Sequence, residues 1–367
     1  MSQQLIRLER EIQATTDRAE WIRLSAKFAI ALARNGSLEE AHQRIALLRG
    51  ISVDAQIGPF HVWVMLAEAI TDWYTKLNAS ALDRVSRVQL LSSAMRFQEV
   101  HACSSAWKAH IQFELSDFDG MLKSLHIALA STDLSNNDAN TRLAIVIFNA
   151  YSLCGDVNQA QKWFMRARSY ALIDGDFPSV EALQYNRAVL TLSRVRVESS
   201  MGKADPKRIQ DARRELESAR NLHSITKNET LANHLHLAEA RLLLLEGRYL
   251  EARISLAAVR EKSPFASYHF SQSIISLEMG FCLHCEGETR QAKELLAELD
   301  FSSYGTLDID EQLAALKIRT QLAEANSQLE VLNELNEQQV VLEGNYSKVH
   351  ADLLVGLHDL EAQYKSP

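Results

Sequence analysis

Along this chain, apolar and small residues recur at steps of three and four. Around Gly155 they fall at Ile147, Tyr151, Ala160, Phe164 and Ala167. These are helical steps on both sides of a glycine, so the spacing predicts two amphipathic helices that meet at a turn of Gly155 and Asp156. Glycine suits the left-handed residue that ends the first helix, and the small Ala160 lets the second helix approach closely.

The same frame lies on other stretches. Around Gly36 it gives Phe28, Ala29, Leu32, Ala41, Ile45 and Leu48; around Gly247, Ala240, Leu243, Ala252, Leu256 and Val259; around Gly287, Met279, Leu283, Ala292, Leu296 and Leu299. Ser116 replaces the glycine in a degenerate copy that continues to Leu125 and Ala128. After Gly202 the turn is longer: Asp205 is a cap, Pro206 opens the helix, and Ala212, Leu216 and Ala219 resume the frame. The turns at 36, 116, 155, 202, 247 and 287 are 80, 39, 47, 45 and 40 residues apart. The first gap is two units, which predicts a further, poorly marked repeat between Gly50 and about Met95. A unit of this length cannot bury its apolar face alone and must stack on its neighbours.

The stretches FNAYSLCGDVNQAQKWFMRARSYA and LEMGFCLHCEGETRQAKELLAEL resemble tetratricopeptide repeats. The units run near 40 residues instead of the family's 34, similar to the longer-unit arrays of bacterial signalling regulators. The resemblance implies an all-α fold, a right-handed superhelical solenoid of helical hairpins, over residues 1–303. It also implies a concave groove lined by the first helix of each pair. Transferred through the aligned glycines, the groove positions are Arg23, Arg142, Asn149, Arg196, His234 and Arg241. Arginines and an asparagine there would hold a carboxylate or a peptide backbone through fixed multi-donor hydrogen bonds.

Residues 304–367 read as a different object, a long acidic C-terminal helix. Apolar residues at Leu322, Leu329, Leu332, Leu342, Tyr346, Leu353, Leu357, Leu360 and Tyr364 form a stripe close to the 3.5 period of a coiled coil, interrupted near Gln338 and Gln339 and near Gly344 and Asn345. The stripe predicts a helix that pairs with a second copy, as a homodimer, or with another partner, the alternative being that it packs back on the last repeat as a cap. The ending DLEAQYKSP resembles the segment that closes repeat arrays in bacterial sensor proteins, just before a diguanylate cyclase or histidine kinase output domain.

Composition supports long helices: five prolines and thirteen glycines in 367 residues leave few breaks. The net charge is −8, and from Phe301 onward eleven acids face four bases, so the tail holds nearly all of it. No basic patch points to nucleic acid or an anionic membrane. The same segregation suggests that the acidic tail occupies the groove of its own array, against Arg142, Arg196 and Arg241. The N-terminus lacks a signal-like apolar core, and no apolar run reaches membrane-spanning length, so a cytoplasmic protein is expected.

Candidate chemistry is sparse. Cys282, His284 and Cys285 sit on a predicted helix, where residues two apart point about 200° apart and cannot face one ion. His234 with His236 fails by the same geometry, and His101, Cys103 and His110 have no better spacing. No phosphate loop, nucleophile elbow or metalloprotease motif occurs. No catalytic residue, cofactor or metal is expected. The reading is a non-catalytic protein-protein interaction module, an adaptor or signalling regulator, that binds a protein or peptide segment. The alternative is the sensory region of a diguanylate cyclase or histidine kinase whose output domain lies outside this chain.

Overall fold

The computed structural model describes residues 2–52, 58–76, 79–226, 229–261, 269–299, 301 and 307–363; every regular element among them is an α-helix. Helix α1 (Gln3–Ala14) precedes a series of helix pairs. These are α2 (Arg18–Arg34) with α3 (Leu38–Ser52), α4 (Pro59–Lys76) with α5 (Ser80–Ala94), α6 (Gln98–Glu114) with α7 (Phe118–Ser131), and α8 (Asn137–Cys154) with α9 (Val157–Ile173). They continue with α10 (Phe177–Ser200) and α11 (Pro206–Thr226), α12 (Glu229–Leu245) and α13 (Tyr249–Glu261), α14 (His269–Cys285) and α15 (Thr289–Ala297), and finally α16 (Ile309–Ala325) and α17 (Leu329–Gln363). The repeat expected between Gly50 and Met95 is the pair α4 and α5.

One local device joins the helices wherever the turn of a pair is described. At Gly155 (φ 81°) the helix ends in the left-handed region, the Gly155 N–H bonds back to Ser152 O, and the Asp156 N–H to Tyr151 O. Asp156 then caps α9 by accepting from the Gln159 N–H at 3.0 Å. The same pair of backward bonds recurs at Gly36, Gly247 and Gly287. Ser116 (φ 56°) does the same without glycine, and so does Arg96 (φ 57°) between α5 and α6. The alanines five residues after the glycines, Ala41, Ala160, Ala252 and Ala292, are all buried.

By contact the chain forms two compact units. The first takes in Met1–Leu183, Asn228–Thr230 and Leu353–Pro367, the second Gln184–Lys227 and Leu231–Asp352. In the first, Leu5, Leu8 and Ile12 of α1 pack with Leu24, Phe28 and Leu32 of α2, while Trp63, Ile70 and Trp73 of α4 join α2 to α6. In the second, Leu192 and Val195 of α10 meet Leu216 of α11 and Leu242 of α12, and Ile274 and Leu277 of α14 meet Ala315 and Leu322 of α16.

The C-terminal segment corrects the sequence reading. It is two helices, not one. Helix α16 stops at Ala325, Ser327 takes φ 54°, and its N–H and that of Gln328 bond back to Glu324 O and Ala323 O, as at the glycine turns. The apolar stripe is interrupted near Gln338 and Gln339 and near Gly344 and Asn345, but the helix is not: α17 runs unbroken from Leu329 to Gln363. Ser327 follows Gly287 by the same 40 residues that separate Gly287 from Gly247, so α16 and α17 keep the phase of the repeats. The boundary expected at 303/304, and Tyr364 of the stripe, lie outside the described residues.

The apolar stripe is covered within the chain over most of its length. Leu322 is buried against α14, and Leu332 and Leu342 pack on Leu316, Ala323 and Leu335. Leu353, Leu357 and Leu360 are buried with Met121, Leu125, Tyr151 and Phe164 in the first unit. There Gly356 permits the approach of Leu122, whose side chain a Cβ would meet, and Glu361 accepts from the Trp163 indole. Tyr346 is half-buried beside His350, and Leu329 alone of the eight proposed pairing residues is largely exposed. Because Leu357 is fully buried, Leu357→Ala is expected to lower the unfolding free energy by about 2–5 kcal/mol, read by urea denaturation. An effect below about 1 kcal/mol would mean that the end of α17 is not packed in solution.

Candidate functional site

In the first unit, the first helices of successive pairs place charged side chains around one cavity of about 240 Å³. From α2 come Arg23, Lys27 and Arg34, which with Ile30 and Ala31 follow helical spacing along one face. Helix α4 supplies Trp63, α6 supplies Glu99, Cys103 and Trp107 at i, i+4 and i+8, and α8 supplies Asp138, Thr141 and Arg142. Helix α1 contributes Gln4, Arg7, Leu8 and Glu11, and the turn before α10 contributes Asp174 and Asp176. That turn passes through Gly175 (φ 64°), whose carbonyl accepts from the Gln4 N–H at 3.1 Å. A side chain at 175 would be strained, and its Cβ would meet Gln3 Cβ at 2.9 Å.

Most of these charges are paired. Glu99 accepts from both Arg23 and Lys27 at 2.7 Å, Lys27 also reaches Asp138 at 2.9 Å, Arg7 reaches Asp174 at 2.9 Å, and Arg34 holds Asp176 at 2.8 Å while donating to Ser179. Burial opposes the Asp138 charge, but Lys27, Arg34 and Arg7 outweigh it and keep its carboxyl below the ordinary range. Arg142 differs. Its guanidinium lies 3.8 Å from the Trp107 ring centroid and donates to the Tyr74 hydroxyl, and burial followed by the charge of Arg34 brings it down to about 10.

Of the six groove positions expected from the sequence, Arg23 and Arg142 therefore meet in this cavity. Asn149 is buried in α8 and lies outside the cavity lining. Lys27, Arg34 and the two tryptophans were not singled out. The signal available for Lys27 was its position one turn after Arg23.

Arg196 and Arg241 come together in the second unit, again from first helices. Glu278 of α14, almost wholly buried, lies 2.9 Å from Arg196 and 3.0 Å from Arg241, while Glu311 of α16 reaches each at 2.9 Å. Burial pushes Glu278 up in spite of Arg241 and Arg196. For Glu311 the two guanidinium groups overcome the cost of burial and hold the carboxyl at about 2. His234 stands apart from them, 6.1 Å from the Tyr185 ring, and burial lowers its pKa. Two expected binding arginines are thus already engaged by an acid of the C-terminal segment.

Glu311 is more easily ionised in the folded protein than in the unfolded chain. Its stabilisation is therefore full above the ordinary glutamate range and lost as pH falls through that range toward 2. Glu311→Gln, which leaves two buried guanidinium groups with one carboxylate, is expected to cost about 3–5 kcal/mol at neutral pH and to flatten the acid limb of the stability curve. Urea denaturation between pH 7 and 3 reads both.

No family model and no curated protein matches the chain. Among solved structures, it is similar to the crystal structure of a Rap protein in complex with Competence and Sporulation Factor, with a TM-score of 0.59, 12% identity, and coverage of 95% of this chain and 93% of that one. At that identity the likeness concerns the fold. Together with the helix pairs it gives the chain a tetratricopeptide-like helical repeat fold, all-α in its described residues.

Proposed function

We propose that the chain is a non-catalytic interaction module, an adaptor or signalling regulator of the cytoplasm, which takes a polypeptide segment into the cavity of its first unit. The observation that carries this reading is the convergence of Arg23, Lys27, Arg34 and Arg142 on one cavity, with the first three held in place by carboxylates. A preordered set of donors loses little freedom on binding, which favours recognition over chemistry. Burial pushes the Cys154 and Cys282 thiols up to about 12 and raises Cys103 further, so none of these is poised as a thiolate. No helix among the described residues is long and apolar enough to cross a membrane. The Rap protein of similar fold was solved with a bound factor, which suits the same reading.

A homodimer through the C-terminal helix would have to use surfaces other than Leu353, Leu357 and Leu360. The exposed apolar residues there are Leu329, Val331, Val340, Val341 and Val355. The alternative reading as the sensory region of a cyclase or kinase rests on the coiled-coil-like stripe of the C-terminal segment and on the resemblance of residues 359–367.

Panning a displayed peptide library with free C-termini against the full chain tests the proposal. Enriched peptides should bind the Thr141→Leu variant, which adds bulk to the cavity without removing a charge, at least tenfold more weakly by isothermal titration. If no peptide is enriched, or if affinity is the same for a Thr141→Leu protein of unchanged circular dichroism, the reading is wrong.

A further inference from the structure

The second unit carries two thiols one helical turn apart. Cys282 and Cys285 bracket Leu283 and His284 at the end of α14, and Cys285 is the last residue of that helix. Residues three apart share a helix face, with Cα atoms about 5 Å from each other. The geometry that excludes His284 from a shared site therefore leaves this pair together. Their surroundings differ. Cys282 is fully buried among Ala252, Leu256 and Val259 of α13, whereas Cys285 is exposed. The Tyr249 hydroxyl, at the head of α13, donates to the Cys285 sulfur and also feels the sulfur of Cys282, so both thiols face one point. The pair stands at a joint between successive repeats. Glu286, the next residue, holds Arg253 of α13 at 2.9 and 2.8 Å and donates its N–H to Cys282 O at 2.9 Å.

We infer that Cys282 and Cys285 are a modification site, a dithiol that closes to an intrahelical disulfide by exchange with a small-molecule disulfide and reopens with a thiol. The inference is independent of the function proposed for the first unit. A disulfide needs Cα atoms roughly 4.4–6.8 Å apart, which this spacing meets. It also needs Cβ atoms about 3.8 Å apart, against about 5–6 Å in a regular helix, so the last turn must tighten. That turn can yield because α14 ends at Cys285 and Gly287 (φ 85°) already redirects the chain. A bond closed under this constraint is more easily reduced, which makes it reversible. Exposure fixes the order of events. Cys285, deprotonated, attacks one sulfur of the small disulfide and expels one thiolate; Cys282, deprotonated in turn, attacks the Cys285 sulfur and expels the second. The protein gives up two protons and two electrons, and the small disulfide leaves as two thiols. The second attack is intramolecular, so the burial of Cys282 does not prevent it. Burial, then Glu278 and Glu286, push the Cys282 thiol up to about 12 against Arg253, and burial raises Cys285 against Tyr249. The exchange is accordingly slow at neutral pH.

The test incubates the reduced full chain, in its native state, with oxidised glutathione. The reaction is stopped with acid, free thiols are labelled with N-ethylmaleimide in urea, and tryptic peptides are weighed by mass spectrometry. Both cysteines fall in the peptide that ends at Arg290. That peptide should lose both labels and appear two hydrogens lighter than its reduced form, and dithiothreitol added before labelling should restore both labels. Cys285→Ser should abolish the reaction and leave Cys282 fully labelled. Cys282→Ala, which the neighbouring alanines accommodate, should instead trap glutathione on Cys285. Both variants should keep the circular dichroism of the parent. A parent chain that stops at the glutathione adduct of Cys285 overturns the inference, since the two sulfurs then do not meet. Dimers linked through Cys285 on a non-reducing gel, with no lighter peptide, overturn it as well. So does closure that occurs only when urea is present during the oxidation, because the folded helix would then forbid the bond.

Discussion

A single helix pair of this chain cannot cover its own apolar face, and the rest of the structure follows from that constraint. Wherever the turn of a pair is described, from Gly36 to Ser327, a left-handed residue with two backward hydrogen bonds closes it, and a first helix such as α8 is then packed by α6, α7 and α9. Helix α8 shows the result: from Ala139 to Tyr151 every residue is buried, including Asn140, Thr141, Arg142 and Asn149. A polar residue in such a position has no access to bulk water, so its partner must come from a neighbouring element, as Asn140 donates to Asp133 O in the connection before α8, or from a ligand.

The repeats were legible because their turns need a rare backbone conformation that glycine supplies without steric cost. Gly36, Gly155, Gly202, Gly247 and Gly287 all have positive φ, as the spacing of the frame required. Where the sequence spends another residue on that conformation, the signal fades. Arg96 and Ser327 close helices in the same way, and only the 40-residue phase pointed to Ser327. In the last pair the fifth position after the turn is Leu332 instead of alanine, so the second mark was missing too. The heptad-like stripe from Leu322 to Leu360 was read correctly as a surface that needs covering. A periodicity gives the angle of that surface on the helix but not the identity of what covers it, and here Leu316, Ile274 and Phe164 do so.

The candidate site was half legible for a related reason. The repeat frame identifies first-helix positions, and so reached Arg23, Arg142, Arg196 and Arg241. It carries no information about which carboxylate from another repeat will face them, because Arg23 meets Glu99 and Arg196 meets Glu311 across 76 and 115 residues. The segregation of acids into the C-terminal segment was the one long-range signal. It placed the acidic tail against Arg196 and Arg241, where Glu311 does lie, without naming which acid, and it misassigned Arg142, which contacts Trp107 and Tyr74.

The two units solve one electrostatic problem in different ways. In the second, two guanidinium groups face two carboxylates, and α16 is fastened by the exchange, so that cluster has no valence left for an outside anion. In the first, the carboxylates are spent on Arg7, Arg23, Lys27 and Arg34, and Arg142 is left over beside an open volume. Buried ion pairs contribute little to net stability once desolvation is counted, so a closed cluster is best understood as fixing geometry. An unclosed one keeps the cost of a buried charge in the free protein. That difference in closure, more than the number of charges, separates a joint that holds helices together from a site that can distinguish one ligand from another.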